Sequence, residues 1–281
     1  MIIASGIAAA SYETLKVDVT NEVLTLTINR PKALNALSRQ VISDLRDAVS
    51  QLRNSLGKKT PDGTVDWSIR GLIITGAGDK SFVAGGDITE MSAMTADEVR
   101  QYAGQAQELT SWLEELPVPV IAAVNGFALG GGSEMALACD MIFAAEDAWF
   151  GQPEVALGLI PGFGGTVRLQ KVVGPQLAAD LIYSGRRINA EEAKTIGLAS
   201  RVYESDSELL AGTHKYFESV RAQSPIAVAT AKRTVREVAH LSISEGLKAE
   251  LDAFTTCFTT DDMREGTSAF VEKRKPTFTG K

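Results

Sequence analysis

From Tyr12 onward the chain alternates apolar and polar residues: Leu15, Val17 and Val19 on one arm, a polar turn at Thr20-Asn21-Glu22, then Leu24, Leu26 and Ile28 between threonines. A period of two on both arms predicts a β-hairpin with one buried face. Pro31 ends the second strand. The apolar spacing then changes to 3.6 residues over Val41/Ile42, Leu45, Ala48/Val49 and Leu52, which predicts a helix with Ser38 as its N-cap. Residues 54–68 (NSLGKKTPDGTVDWS) carry Gly, Pro and mixed charge without a period and read as a surface loop. Three short apolar runs, at 72–75, 119–124 and 141–145, read as buried strands separated by helices, the pattern of a layered α/β core. After residue 175 the chain is mostly helical. Asn189 with Glu192 resembles a capping box, and Gly197 is a stop signal. Ser224-Pro225 opens a helix to about residue 240, and a last helix spans about 242–258 ahead of the basic tail FVEKRKPTFTGK.

Composition narrows the function classes. The 281 residues are 44% hydrophobic and 22% charged, enough for a substantial core. A net charge of −7 argues against a nucleic-acid or anionic-membrane surface, which needs a concentrated basic face. The N-terminal MIIASGIAAAS has no basic residue before Lys16, so neither a secretory signal nor a transit peptide is expected, and no apolar run is long enough for a membrane span. Cys139 and Cys257 lie in apolar settings without ligand spacing, which argues against disulfides and zinc and for a reducing cytoplasm.

The chemistry concentrates in NGFALGGGSEMALACD (125–140). Three glycines at a helix start leave backbone N–H groups open to a ligand oxygen, so Gly130–Gly132 either bind an anion or oxyanion or simply permit close packing. A second glycine-bearing loop, SFVAGGDITEM (81–91), follows the strand at 72–75. One N–H from each loop could converge on a single developing oxyanion. Asp87 reads as an N-cap. Glu134 sits in the first turn of an apolar helix, and Glu154 lies in GQPEVALGLIPGFGGT (151–166), again among apolar residues. Two carboxylates in such surroundings suit paired acid/base work, although spacing leaves open whether they meet. With only His214 and His240 in the chain, a serine triad on Ser133 is not expected, and the loops lack both the P-loop lysine and the dinucleotide fingerprint.

Taken in order, NRPKALNAL (29–37), SFVAGGDITEM, PVIAAVNGFALGGGSE, FGQPEVALGLIPGFGGTVRL and TTDDMREGTSAFVEKRK (259–275) resemble the enoyl-CoA hydratase (crotonase) family, closest to its short-chain hydratases. The resemblance implies an α/β fold, a spiral of repeated ββα units over 12–205 after an extension at 1–11. A helical region at 206–281 would build trimers or dimers of trimers. It places the oxyanion-hole amides on Gly86 and Gly131 and the two catalytic glutamates on Glu134 and Glu154. Water adds across a 2-trans-enoyl-CoA, coenzyme A being part of the substrate and no prosthetic group being required. CoA contacts are implied at Lys32, Lys80, Ala84, Phe254 and Lys273. The chain departs from the family at Thr89, where a basic residue is frequent, and at Gly86, where alanine is common. Isomerases and thioester hydrolases share the oxyanion hole, a non-catalytic acyl-CoA-binding scaffold would use the same glycines, and some relatives bind RNA, so these remain the alternative readings.

Overall fold

A computed structural model describes residues 3–281 except position 62. The N-terminal apolar run, read from sequence only as an extension, folds as helix α1 (Ile3–Ala8), with Ile3 and Ile7 buried. The hairpin forms as antiparallel β1 (Leu15–Thr20) and β2 (Val23–Ile28). Its turn places Asn21 and Glu22 at φ 50° and 61°, the left-handed pair that matches strand twist. Helix α2 (Arg39–Ser55) starts where expected, the Ser38 hydroxyl accepting the Val41 N–H, and buries Val41, Ile42, Leu45, Ala48, Val49 and Leu52. It runs to Ser55, past the predicted loop start. Asp44 on its buried face accepts the Thr14 N–H and hydroxyl at 2.9 and 2.7 Å, tying helix to hairpin.

Next come β3 (Gly71–Gly76), β4 (Ser81–Val83), α3 (Ile88–Met91) and α4 (Ala96–Glu115). The pattern repeats with β5 (Val120–Val124), β6 (Phe127–Leu129) and α5 (Gly131–Leu137). It repeats again with β7 (Met141–Ala145), β8 (Trp149–Gly151), a 3₁₀ turn at Pro153–Leu157, α6 (Gly165–Val173) and α7 (Pro175–Ser184). Then follow β9 (Arg187–Asn189), α8 (Ala190–Thr195), β10 (Arg201–Tyr203) and the C-terminal helices α9 (Asp206–Arg221), α10 (Pro225–Val238), α11 (Ile243–Cys257) and α12 (Asp261–Val271).

In the β3–β4, β5–β6 and β7–β8 units the two strands enter different sheets, whereas β1 and β2 both lie in the larger one. One sheet has the order β1-β2-β3-β5-β7-β10, parallel from β2 onward; the other has β4-β6-β8-β9, parallel except for β9. This is the expected spiral of ββα units. Every residue of β3 and β5 is buried, because the large sheet is covered on both faces, as parallel sheets require. Its outer face carries Val23, Ile73, Ile121 and Phe143 against Leu209 and Phe217 of α9.

Two asparagines weld the turns at the C-terminal ends of the strands. Asn35, fully buried at φ 57°, accepts the Arg30 N–H at 2.9 Å and donates to the Ala77 and Ser81 carbonyls at 3.0 and 2.7 Å. Asn125 accepts from Gly76 N–H and donates to the Gly76 and Gly78 carbonyls. Asn35→Ala is expected to destabilise by about 2 kcal/mol, since it leaves buried backbone groups without partners. Chemical denaturation with an unchanged m-value checks it.

The Asn189 cap forms, its side chain accepting the Glu192 N–H at 2.9 Å, but the reciprocal half of the box does not. Glu192 pairs instead with Arg186 at 2.8 Å, a charged partner being stronger than a neutral N–H. The full capping boxes are at Thr95–Glu98 and Ser242–Glu245.

Candidate active site

The loops after β4 and β6 are neighbours because those strands pair in parallel, Ser81 with Phe127 and Val83 with Ala128. Leu37, from the segment before α2, touches both loops. It forms a parallel bridge to Gly86, its N–H donating to Gly85 O and its carbonyl accepting the Asp87 N–H. A bridge of this kind uses the groups on either side of Gly86, so the N–H of Gly86 itself points away from it. A Cβ at Gly131 would lie 3.2 Å from the Leu37 Cδ1 and 2.9 Å from the Phe163 ring. Gly131 is the first residue of α5, where N–H groups have no intrahelical acceptor. Among the described residues, neither the Gly86 nor the Gly131 N–H has a protein acceptor.

Gly130 supplies the corner before α5 at φ 50°, ψ −122°, a conformation that favours glycine. A Cβ there would come within 2.8 Å of Glu154 Oε1. A side chain at Gly132 would collide with the Val83 carbonyl. Of the three glycines, Gly130 turns the chain, Gly132 packs on β4 and Gly131 offers an open amide. The packing reading of the run holds at Gly132, and the open amide of Gly131 is what an anion-binding reading needs.

Asp87 is the N-cap of α3, accepting the Glu90 N–H at 3.3 Å. It also receives the Arg30 guanidinium through two bonds of 3.1 Å, while Arg30 donates to the Ala36 carbonyl at 2.8 Å. Arg30 and Asp87 thus pin the Leu37 segment to the first glycine loop. Met91 and Tyr102 close the far side, at 2.8 and 3.2 Å from a Cβ placed on Gly86. The Tyr102 hydroxyl donates to the Leu37 carbonyl at 2.5 Å, and its ring meets Phe163 edge-on at 5.4 Å.

The structure brings the two glutamates into this same place. Glu134 is 1% exposed, and its Oε1 accepts the N–H groups of Phe163 and Gly165 at 2.7 and 2.6 Å. Burial pushes its carboxyl above the usual value, with the backbone donors and the Arg168 charge opposing that rise. Glu154, half-buried in the Pro153–Leu157 turn, is raised by burial, and further by the Glu134 charge, to about 7. Gln152, a buried amide that sequence reasoning missed, stands between them. One end of it lies 3.0 and 3.2 Å from the two Glu154 oxygens, where its NH₂ donates to them. A Cβ at Gly165 would touch that amide and, at 3.0 Å, Glu134 Cγ. The only sequence signal for Gln152 was its place next to Pro153-Glu154.

Lys32, Lys80 and Ala84 sit on adjacent loops beyond the C-terminal ends of the strands, the two lysines exposed and Ala84 half-buried. The Leu34 carbonyl, next to the Lys32 turn, accepts both the Ala84 N–H and the Ser81 hydroxyl. Phe254 and Lys273 belong elsewhere. Phe254, 59% exposed on α11, stacks edge-on with Phe258, and Lys273 is exposed after α12. The C-terminal region is tied to the opposite ends of the strands through α10 and the tail: Lys232 and Arg236 of α10 bind Asp140, whose Oδ2 accepts the Val120 N–H, and the Trp67 ring N–H donates to Gly280 O. Thr89 lies exposed on α3. The described residues contain no cluster of His, Cys, Asp and Glu able to hold a metal and no helix long and apolar enough to cross a membrane.

Within the spiral ββα architecture, two glycine N–H groups without protein acceptors and two carboxylates, one buried and one half-buried, share one place. Sequence and structure comparisons place that site in a family. The profile described as enoyl-CoA hydratase/isomerase matches residues 18–281. A crotonyl-CoA hydratase of Syntrophomonas wolfei is 43% identical over 96% of this chain and 100% of its own length. A short-chain-enoyl-CoA hydratase of Clostridium acetobutylicum is 42% identical over 90% of this chain and 93% of its own. The crystal structure of an enoyl-CoA hydratase from Bacillus anthracis superposes with a TM-score of 0.88 at 37% identity, covering 96% of this chain and 100% of that one. The chain belongs to the enoyl-CoA hydratase/isomerase family.

Proposed function

We propose that this protein is an enoyl-CoA hydratase that adds water reversibly to short 2-trans-enoyl-CoA thioesters. The observation that carries the reading is the meeting of Glu134 and Glu154 beside the open N–H groups of Gly86 and Gly131. In this mechanism the thioester oxygen accepts both glycine N–H groups. Glu134 takes a proton from the water attacking the β-carbon, and the resulting enolate is stabilised by the two donors. Glu154, whose raised affinity keeps a proton available near neutrality, delivers one to the α-carbon. Donor pairs of this kind contribute roughly 3–4 kcal/mol per donor to such transition states.

Coenzyme A enters as part of the substrate, and no prosthetic group takes part in this scheme. Lys32 and Lys80 would face its phosphates, with Ala84 along the same groove. Phe254 and Lys273 would reach a CoA moiety from a neighbouring subunit, since the C-terminal region is tied to the other ends of the strands. That arrangement requires a homo-oligomer, a trimer or a dimer of trimers. Leu247, Leu251, Phe254 and Phe258 support it, forming an exposed apolar stripe along α11, the kind of patch that marks protein contacts. The two free cysteines suit the reducing cytoplasm in which the enzyme would work.

Mixing the protein with crotonyl-CoA is the test. Loss of the conjugated-thioester absorbance with a product heavier by one water supports hydration. Release of free CoA, or a product of unchanged mass, would replace it with hydrolysis or isomerisation.

A further inference from the structure

The turn that grips Glu134 is itself gripped by a guanidinium. Arg168, one turn into α6, donates from Nη1 to the Phe163 carbonyl at 3.2 Å. Its Nε and Nη2 form a two-point pair with Glu114 of α4 at 2.9 and 3.1 Å, with the Arg168 side chain only 15% exposed. Gly164 makes room for it: φ is 117°, and a Cβ there would collide with Nη1. Gln107 of α4 holds the preceding carbonyl, Gly162 O, at 2.8 Å. Glu114 also receives Arg236 of α10 at 3.1 Å, and Arg236 continues to Asp140 at 2.8 Å. Burial alone would raise the Glu114 carboxyl, but the Arg168 bonds and charge, with those of Arg236, hold it below its usual value, so the anchor stays ionised.

We propose that Arg168, fixed by Glu114, is a positioning residue for Glu134, setting the Phe163 and Gly165 N–H groups on the carboxylate that accepts the proton from water. The proposal rests on Glu134 being the base. A forked guanidinium suits the task because it meets a carbonyl and both oxygens of a carboxylate in one plane, which a lysine ammonium cannot do. The groups facing Glu134 are the backbone N–H groups of Phe163, Gly164 and Gly165, the Arg168 charge from α6, Glu154 from the 3₁₀ turn and Tyr102 from α4. Of these, the backbone donors and Arg168 favour the ionised form. Removing Arg168 leaves burial less opposed, so the proton is held to higher pH.

The test compares R168Q, R168K and E114Q with E134Q, using crotonyl-CoA turnover across pH and circular dichroism to check folding. R168Q is expected to lower kcat by roughly 10-fold or more with KM within about 2-fold, because a displaced base costs turnover rather than CoA binding. Its acid limb moves to higher pH. R168K retains the charge, so it loses kcat with a smaller displacement of the limb, and E114Q, which frees the guanidinium from its anchor but keeps its charge, loses kcat by less than R168Q without the limb moving to higher pH. A folded R168Q whose acid limb coincides with that of wild type overturns the proposal, even if the enzyme is slower. Should R168Q not fold, R168K and E114Q decide the matter, and wild-type kcat and acid limb in both overturn it. An inactive E134Q beside an unaffected R168Q removes only this proposal, whereas an E134Q with full turnover removes the base assignment and the positioning role together.

Discussion

Replacing Glu134 by Gln is expected to lower kcat for crotonyl-CoA hydration by at least roughly 10²-fold, the usual scale for losing a positioned acid/base group. The side chain keeps its volume in a fully enclosed site. What changes is the oxygen that accepts the Phe163 and Gly165 N–H groups, and with it the capacity to take a proton from water. An amide oxygen in the same position still satisfies both donors, so the fold should survive. Thermal unfolding beside steady-state kinetics separates the two effects: a normal midpoint with a small kcat and little change in KM is the expected result. Wild-type turnover would remove Glu134 from the chemistry and leave a buried carboxylate with only a structural part.

Glu154→Gln is expected to have a loss of similar size, at least roughly 10²-fold, together with a change in the shape of the pH profile. In the proposed mechanism Glu154 carries the proton in the hydration direction, so the rate of the wild-type enzyme should fall as pH rises through about 7. Glu134 must be ionised, which sets the acid limb. The two interact, so the limbs belong to the pair. In Glu154→Gln the basic limb should disappear, because the amide does not titrate. Stability should change with a defined sign as well. A carboxyl raised from 4.5 in the unfolded chain to about 7 in the fold contributes stability that is complete below 4.5 and lost as pH climbs through 7. The variant should therefore gain stability relative to wild type on the alkaline side of that window and not on its acid side, as thermal unfolding at the two ends would record. A basic limb that persists in Glu154→Gln would assign it to another group.

The long elements of the fold were legible because each spans several periods of its own pattern. The hairpin, α2 and the runs at β3, β5 and β7 all fall where hydrophobic spacing put them. The second sheet was not legible by that route. Its strands β4, β6, β8 and β9 have three residues each, less than two full alternations, and two of them are embedded in glycine-rich segments that read as loops. Its existence followed from the resemblance to the crotonase family. At the site, composition nominated Glu134, Glu154 and both glycine loops but could not join them. The joining is done by Gln152, Gly165 and the turn at 163, whose backbone donors leave no mark in side-chain identity. Arg168 and Glu114 lie 54 positions apart and would pass for two surface charges. The lysines nominated for CoA are exposed, so side-chain packing neither singles them out nor dismisses them.

The parallel pairing of β4 with β6 has a consequence for how such a site diversifies. In the proposed mechanism the two glycine donors follow closely upon neighbouring strands, so their relative placement starts from inter-strand spacing, about 4.8 Å in any sheet. The carboxylates come from different elements, Glu134 from α5 and Glu154 from the turn after β8. On that mechanism, proton-transfer groups could be exchanged, moved or deleted while the oxyanion-binding ruler kept its gauge, and a new reaction on this scaffold would begin with its hardest dimension already set.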